Sequence, residues 1–376
     1  MSNPINPRLA ARCAAALTLL ILLAPPWARA VRDWLFENAP QQALTILALL
    51  AAVSGAPLLL LVARGLRGMS PARWTVLGCG LAGLVLLGLG FATDDPRVGA
   101  VERLHLLEYA TLAALLLRAL ANWAPDWTRA VWTMLLALLV AIGDESFQWL
   151  LPLRTAELRD VLLDVGAAAM GLFMGLALER APLAGSSARS RAKLLAGAAG
   201  VVLPLSGFIQ LAHCGGWVAD PACGRFRSFF SGPELLERDR KLSGDPNRAL
   251  RPPPLLGIED YAVTEAGWHL QHRNLALERG DLVTVLGEQR ILERFYGAFL
   301  RAHNALLNPG LRRRAAVLAG PPAGYVSPVL ARRIWVDVTP MRLWSWAGLA
   351  ALLFIALAWR ARAGVAAGAP TLFHRP

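Results

Sequence analysis

Nine polar side chains lie near the same end of three apolar stretches of the sequence, where they could form one site beside a membrane. Three pairs among them are four residues apart, a spacing that places both members on one face of a helix. At a rise of about 1.5 Å per residue, two such positions differ in depth by only about 6 Å. The nine residues are His105, Glu108, Tyr109, Asp144, Glu145, Gln148, Arg154, Asp160 and Asp164.

Two kinds of chemistry fit this set. In a catalytic site, His105 would act as general base, with Asp144 or Glu145 as its orienting partner or as an acid of raised pKa. In a binding site, Arg154 would hold the anionic group of a ligand while nearby carboxylates orient its guanidinium group. The other candidate ligand-binding residues are Glu108, Tyr109, Gln148, Asp160 and Asp164. The alternative is that helix ends and loops carry these polar residues without any shared site.

The stretches that carry these residues are three of eight apolar runs, each close to the roughly 20 residues that a helix needs to cross a bilayer. Hydrophobic residues make up 56% of the 376-residue chain and charged residues only 17%. Because soluble domains carry roughly 25% charged residues, this composition excludes a disordered chain, a coiled coil and an ordinary soluble enzyme. The sequence predicts an all-α polytopic membrane protein with about eight transmembrane helices. Their approximate bounds are 10–28, 43–63, 74–92, 104–121, 130–150, 161–178, 194–212 and 343–359.

The net charge of +12 is largely a topology signal and does not indicate nucleic-acid binding. With the N-terminus inside, short cytoplasmic segments carry fourteen Lys and Arg residues and short outer loops carry six. Such a bias predicts that both termini lie in the cytoplasm. The long segment 213–342 then lies outside, where it cannot meet cytoplasmic nucleic acid.

Residues 213–342 are predicted to form a mainly helical extracytoplasmic domain inserted before the last membrane helix. Two amphipathic helices are expected within it, at about 259–279 and 281–306, separated near Gly280 and Asp281. The apolar stripe of the second helix comprises Leu286, Leu292, Phe295 and Phe299.

Cysteine and histidine residues of this outer segment raise two further questions. Cys214 and Cys223 would pair in an oxidising compartment, and the sequence favours that disulfide over two free thiols beside the membrane. His269 and His272 could ligate a metal if His303 or an acid joined them, but an ordinary helix surface is favoured. The chain shows no nucleophile motif, and no metal or other cofactor is predicted.

The polar residues follow a recognisable order: an Asp-Glu pair, a Gln three residues after the Glu, a turn with Pro and Arg, and two acids four apart. Over roughly residues 74–180 this pattern resembles the VanZ-like family of bacterial membrane proteins. The matching positions are Asp144, Glu145, Gln148, Pro152, Arg154, Asp160 and Asp164, with His105, Tyr109 and Leu112 before them and Gly166, Gly171 and Gly175 after.

Four positions depart from the family pattern. Glu102 stands where the family often has a basic residue, and Phe147 stands where it often has His. Leu153 replaces the glycine of the turn, and Asp164 stands where the family often has Asn. The lost His weakens any mechanism that needs two histidines.

The resemblance implies a multi-pass protein of the bacterial inner membrane with a role in the cell envelope. The family takes its name from a member associated with teicoplanin-type glycopeptide resistance. The predicted organisation is a two-helix segment at 1–73, a VanZ-like core at 74–193, a membrane helix at 194–212, the outer domain at 213–342, and a last helix with a cytoplasmic tail at 343–376.

Three functions remain in competition. The favoured one is a non-enzymatic protein that binds a lipid-linked or cell-wall-related amphiphile at the outer rim. The second is a membrane-embedded acid/base enzyme acting on a lipid phosphate or lipid glycan. A channel or transporter is disfavoured, because no ionisable residue is predicted at the midplane of the bilayer. The expected partners are membrane lipids and a lipid-linked envelope precursor or glycan, and no oligomeric state is predicted.

Overall fold

The protein is predominantly helical in the computed structural model. The described residues are 6–65, 69–90, 96–151, 154–179, 183, 185–250, 261–318, 324–331 and 333–367. The chain divides into two compact units. The first unit comprises Met1–Glu145, Arg159–Gly207 and Met341–Pro376, and the second comprises Ser146–Leu158 and Phe208–Pro340.

Proline marks the start of many of the long helices. Its fixed φ suits the first helical turn, and its missing N–H is not needed there. The helix that begins at Pro7 is also capped by Asn6, whose side chain accepts a hydrogen bond from the backbone N–H of Arg8 at 2.9 Å. The long helices are α1 Pro7–Leu23, α2 Pro25–Asn38, α3 Pro40–Gly65, α4 Pro71–Gly90, α5 Pro96–Ala119, α6 Thr128–Trp149, α7 Leu158–Leu178, α8 Ala188–His213 and, at the end of the chain, α15 Pro340–Ala367.

Six helical stretches of the described residues are long and apolar enough to cross a membrane, which confirms an all-α polytopic membrane protein. They are Pro71–Gly90, Arg103–Asn122, Thr128–Trp149, Leu158–Leu178, Ala188–His213 and Pro340–Ala363. The total of eight spans stays a prediction.

The first two predicted spans coincide with helices α1 and α3, which are not among the six stretches. The prediction of one continuous helix over 10–28 was wrong. Helix α1 ends at Leu23, and a new helix begins at Pro25. The paired prolines explain the break, because a proline inside a helix removes a hydrogen bond and clashes with the preceding turn.

Helix α5 is the central element of the first unit and packs against α1, α3 and α4. Its inward residues are small or branched apolar side chains, and Ala110, Leu112 and Ala113 are fully buried. Helix α7 approaches α5 closely at Gly171, where a Cβ atom would collide with the backbone of Ala110. Gly175, one turn further along α7, has Leu117 of α5 as its neighbour.

The second unit contains a β-hairpin and several helices, so the segment 213–342 is mainly helical but not wholly so. The hairpin is antiparallel, with Gly216 opposite Ser228 and Asp220 opposite Gly224. The elements are β1 Gly216–Asp220, β2 Gly224–Ser228, α9 Gly232–Ser243, α10 Pro246–Leu250, α11 Tyr261–Glu278, α12 Leu282–Phe295, α13 Gly297–Ala302 and α14 Pro309–Leu318.

Both predicted helices are present, but the first is not amphipathic, because its buried face includes Glu265, His269 and Arg273, and the second is shorter than expected. Gly280 separates them in a left-handed conformation, with φ at +71°, and the side chain of Asp281 caps the next helix. Helix α12 then ends at Phe295, since Tyr296 leaves helical geometry and a separate short helix follows. All four side chains of the predicted apolar stripe are buried, but Phe299 lies on α13 and not on the same helix as the other three. The four are Leu286, Leu292, Phe295 and Phe299.

The predicted disulfide is absent, because Cys214 and Cys223 are both free thiols. The hairpin explains the correction. Cys214 precedes the open end of β1, whereas Cys223 lies in the turn before β2. Five strand residues span about 17 Å at roughly 3.4 Å each, whereas a disulfide needs Cα atoms within about 7 Å. Burial raises the pKa of the Cys223 thiol to about 12, so this group stays protonated.

Candidate functional site

Three predicted site residues lie on one face of α5. The rings of His105 and Tyr109 are stacked, with centroids 6.4 Å apart and an interplanar angle of 26°. The carboxylate of Glu108 lies beside the imidazole, with 3.8 Å between Oε2 and Nδ1. Tyr109 is fully buried and Glu108 nearly so, whereas His105 keeps partial exposure.

Helices α6 and α7 add carboxylates to this region. Asp144 and Glu145, near the end of α6, are both buried, and so is Asp164 in the second turn of α7. Asp160 is more exposed and lies 3.3 Å from the guanidinium group of Arg159.

These side chains come together from three helices. One ligand atom each from His105, Asp144 and Asp164 lie within 4.8 Å of one another. The Tyr109 hydroxyl interacts electrostatically with Asp164, Asp144 and the neighbouring glutamates. We call this group the polar cluster, which comprises His105, Glu108, Tyr109, Asp144, Glu145 and Asp164.

The glycines of α7 explain how the cluster can form. Gly171 follows Asp164 by seven residues, about two helical turns, so both lie on the same side of α7. Because Gly171 has no side chain, that side of α7 reaches the backbone of Ala110 in α5. The close approach brings the Asp164 carboxylate to the imidazole of His105.

The helices of the cluster lie within the part of the chain that matches a known family. Residues 55–179 match the model of the VanZ/LLP1 family. This segment is VanZ-like. It contains most of the stretch at 74–180 on which the resemblance rests and also begins earlier, in α3. Neither the curated proteins nor the solved structures gave a match.

Two of the predicted site residues within the VanZ-like segment belong to the second compact unit. Gln148 and Arg154 both lie in Ser146–Leu158. A common site for them with the polar cluster therefore stays a prediction. Pro152 and Leu153, the turn positions of the resemblance, lie outside the described residues.

A second charged group lies at the other ends of α5, α6 and α7 within the VanZ-like segment. Glu179 bridges two buried guanidinium groups, at 3.6 Å from Arg118 and 3.5 Å from Arg129. Arg73 donates a hydrogen bond to the carbonyl oxygen of Ala177 at 2.6 Å. In the sequence, Arg118 and Arg129 were interpreted only as markers of topology. Their common partner, Glu179, follows the last turn of α7 and lies far from both in the sequence. Cations suit this position, because the C-terminus of a helix carries partial negative charge.

The histidines of the second unit form no metal site among the described residues. The expectation that His269 lies on an ordinary helix surface was wrong, because it is buried and its Nδ1 lies 2.5 Å from Oε2 of Glu288. His303 instead stacks on Phe299, with ring centroids 4.1 Å apart. The spacing of residues in the sequence did not predict the pair of His269 and Glu288, because the two residues belong to different helices.

The buried acids of the second unit form a hydrogen-bonded network. Glu288 also accepts hydrogen bonds from the hydroxyl groups of Tyr325 at 2.7 Å and Ser327 at 2.6 Å. These two donors are brought in by a short segment that pairs with β2 through Arg225. In parallel, Glu265 accepts hydrogen bonds from its own set of donors. They are the Ser228 hydroxyl, the Phe229 backbone N–H and the Tyr296 hydroxyl, each at 2.8 Å.

Proposed function

We propose that this VanZ-like membrane protein binds the headgroup of a lipid-linked or cell-wall-related amphiphile at its polar cluster. The observation that carries the proposal is the burial of four carboxyl groups on three membrane helices. Charged groups within a membrane protein are costly and commonly serve a binding or transport function. The four residues are Glu108, Asp144, Glu145 and Asp164.

The chemistry of the cluster favours a headgroup rich in hydroxyl or amine donors. Carboxylates are strong acceptors of hydrogen bonds, and the Tyr109 phenol can both donate and accept. Apolar helices around the cluster would hold the acyl or prenyl chain of the same molecule. The proposed role of Arg154 is to contact an anionic group of that amphiphile, with nearby acids orienting its guanidinium group.

The proposed setting is the inner membrane of a bacterium, with both termini in the cytoplasm and residues 213–342 outside. The excess of basic residues in the short cytoplasmic segments supports this orientation. A role in the cell envelope, linked to glycopeptide-type resistance, is proposed from the VanZ-like segment at 55–179.

Binding can be tested with the purified full chain in lipid nanodiscs. The probe is a polyprenyl-linked disaccharide peptide, and phosphatidylglycerol is the competing lipid. We expect Asp164→Asn and Arg154→Ala to weaken probe binding at least tenfold, while both variants reach the membrane at normal levels. Glu37→Gln removes an exposed carboxylate outside the cluster and is the matched control. Unchanged binding by both site variants would contradict the proposal.

The resistance link needs a separate test in cells. We expect expression of the chain in a susceptible bacterium to raise the inhibitory concentration of a teicoplanin-type glycopeptide, and Arg154→Ala to abolish that increase. Resistance that persists in this variant would exclude the proposed role of Arg154.

The second candidate function is an acid/base enzyme acting on a lipid phosphate or lipid glycan. The contact between Glu108 and the His105 imidazole favours it, because a carboxylate beside a histidine can orient a general base. In that case His105→Ala would retain amphiphile binding and lose turnover of the same probe, measured by mass spectrometry. Turnover that survives in His105→Ala would exclude His105 as the general base, and a wild-type chain that does not turn the probe over would exclude the enzyme.

A further inference from the structure

The most informative feature beyond headgroup binding is the set of atoms at the centre of the polar cluster. An imidazole nitrogen of His105 and carboxylate oxygens of Asp144 and Asp164 lie within 4.8 Å of one another. The three residues come from α5, α6 and α7, so their proximity is a property of the packed bundle and not of one helix. One nitrogen and two oxygen donors form a ligand set that proteins use for divalent transition metals.

A second and independent observation comes from Tyr109. Its side chain is fully buried, and its hydroxyl has no hydrogen-bond partner among the described residues. The hydroxyl interacts electrostatically with the carboxylates of the cluster, so it is directed into the site. A buried hydroxyl is nearly always hydrogen-bonded. A water molecule or hydroxide bound to a cation at this point would supply the missing partner.

The electrostatics of Asp164 point the same way. The groups whose charges act most strongly on this buried carboxyl group are Glu145, Asp144, Asp160 and Glu108, and all four are acids. Carboxylates packed this closely repel one another, and a divalent cation between them removes that repulsion.

The carboxylate of Glu108 lies beside the imidazole, 3.8 Å from Nδ1 of His105, which is close enough for electrostatic attraction but too long for a hydrogen bond. With Nδ1 facing Glu108, Nε2 is the ring nitrogen left for a metal ion. Histidines that bind metals usually direct their other ring nitrogen to a carboxylate or carbonyl group. Glu108 is therefore a positioning residue and not a metal ligand.

We propose that His105, Asp144 and Asp164 bind a single divalent transition-metal cation, of the Zn²⁺ or Mn²⁺ type. In a tetrahedral site with metal–ligand bonds of about 2.1 Å, ligand atoms lie about 3.4 Å apart, so rotations of the three side chains must bring their atoms closer than the observed limit of 4.8 Å to hold one ion. The site goes beyond the proposed function, because a cation can be held there whether or not an amphiphile binds.

The test uses the purified full chain in detergent, stripped with a chelator and then titrated with Zn²⁺ or Mn²⁺ alone. We expect one equivalent of metal to bind, with affinity at least 100-fold lower in His105→Ala and in Asp164→Asn. The matched controls are His303→Ala and Asp245→Asn, which change a histidine and an aspartate of the second unit and should bind the metal normally. Tyr109→Phe should keep the protein folded and lower the affinity by a smaller factor.

Two results would overturn the metal site. One is a wild-type chain that takes up no metal, and the other is unchanged affinity in both ligand variants. Should the variants fold poorly, X-ray absorption at the zinc edge of the wild-type protein decides the question, because the site requires nitrogen or oxygen neighbours at about 2.0–2.1 Å, the outer-shell scattering of one imidazole ring and no sulfur neighbour. Amphiphile binding measured on the metal-free protein tests the proposed function separately, so either proposal can fail alone.

Discussion

The imidazole of His269 and the carboxylate of Glu288 form a fully buried pair in the second unit, with Nδ1 and Oε2 2.5 Å apart. Breaking such a pair leaves the remaining group in an apolar environment without its counterpart. Removing one partner of a buried ion pair is therefore much more destabilising than removing an exposed charge.

We expect Glu288→Gln to lower the unfolding free energy of the second unit by about 3 kcal/mol. The measurement is hydrogen exchange of peptides from α11 and α12 in the full chain, where protection should fall. Glu278→Gln changes an exposed carboxylate on α11 and should stay within about 0.5 kcal/mol of wild type. Equal protection in the two variants would show that the pair contributes nothing to stability.

The two buried glutamates of the second unit, Glu288 and Glu265, should change its stability with pH in opposite directions. Burial alone would raise the pKa of Glu288, but the charge of His269 and several hydrogen bonds outweigh it and lower the pKa. A group with a lowered folded pKa stabilises the fold above its unfolded pKa and loses that contribution as the pH falls through the folded value. Burial instead raises the pKa of Glu265, so its charged form costs stability at neutral pH and the cost disappears on acidification.

We therefore expect Glu288→Gln to flatten the loss of stability below about pH 4, where glutamates titrate in the unfolded chain. Glu265→Gln should act above about pH 4, because it removes the stability that the protein regains there as Glu265 takes up its proton on acidification. The unfolding free energy measured between neutral pH and pH 3 checks both signs. Identical slopes for wild type and both variants would contradict the assignment.

The third prediction concerns the close contact of Gly171 with the backbone of Ala110. A methyl group at this position would collide with Ala110, so Gly171→Ala must push α7 away from α5. We expect a loss of about 1–3 kcal/mol, as for other overpacked sites, together with weaker metal binding at the polar cluster. Thermal unfolding in detergent measures the first effect. Gly78→Ala has open space around it and should be at least as stable as wild type, because alanine favours a helix more than glycine does.

The sequence predicted the features that depend on short spacing. Runs of about 20 apolar residues gave the membrane helices, and the four-residue spacing of His105 and Tyr109 gave their shared face. These inferences succeed because helix geometry relates neighbours of three or four positions directly.

Other features depend on how distant elements pack, and the sequence could not specify them. Glu288 reaches His269 only because α11 and α12 lie side by side, and nothing in their spacing marks the pair. The separation of Cys214 from Cys223 follows from a hairpin that was not predicted from the sequence. The favoured partner of His105 was Asp144 or Glu145, whereas the structure also places Glu108 beside it.

The charged group around Glu179 gives the last prediction. Its carboxylate is shared by Arg118 and Arg129, which are both buried, and the Nε of Arg129 has no hydrogen-bond partner among the described residues. Glu179→Gln would leave two buried cations without their common anion, so we expect a loss of about 3 kcal/mol in the first unit. Thermal unfolding of the full chain in detergent measures it, with Glu37→Gln as the exposed control on the same unit. If Glu179→Gln unfolds at the wild-type temperature, the two contacts do not stabilise the bundle.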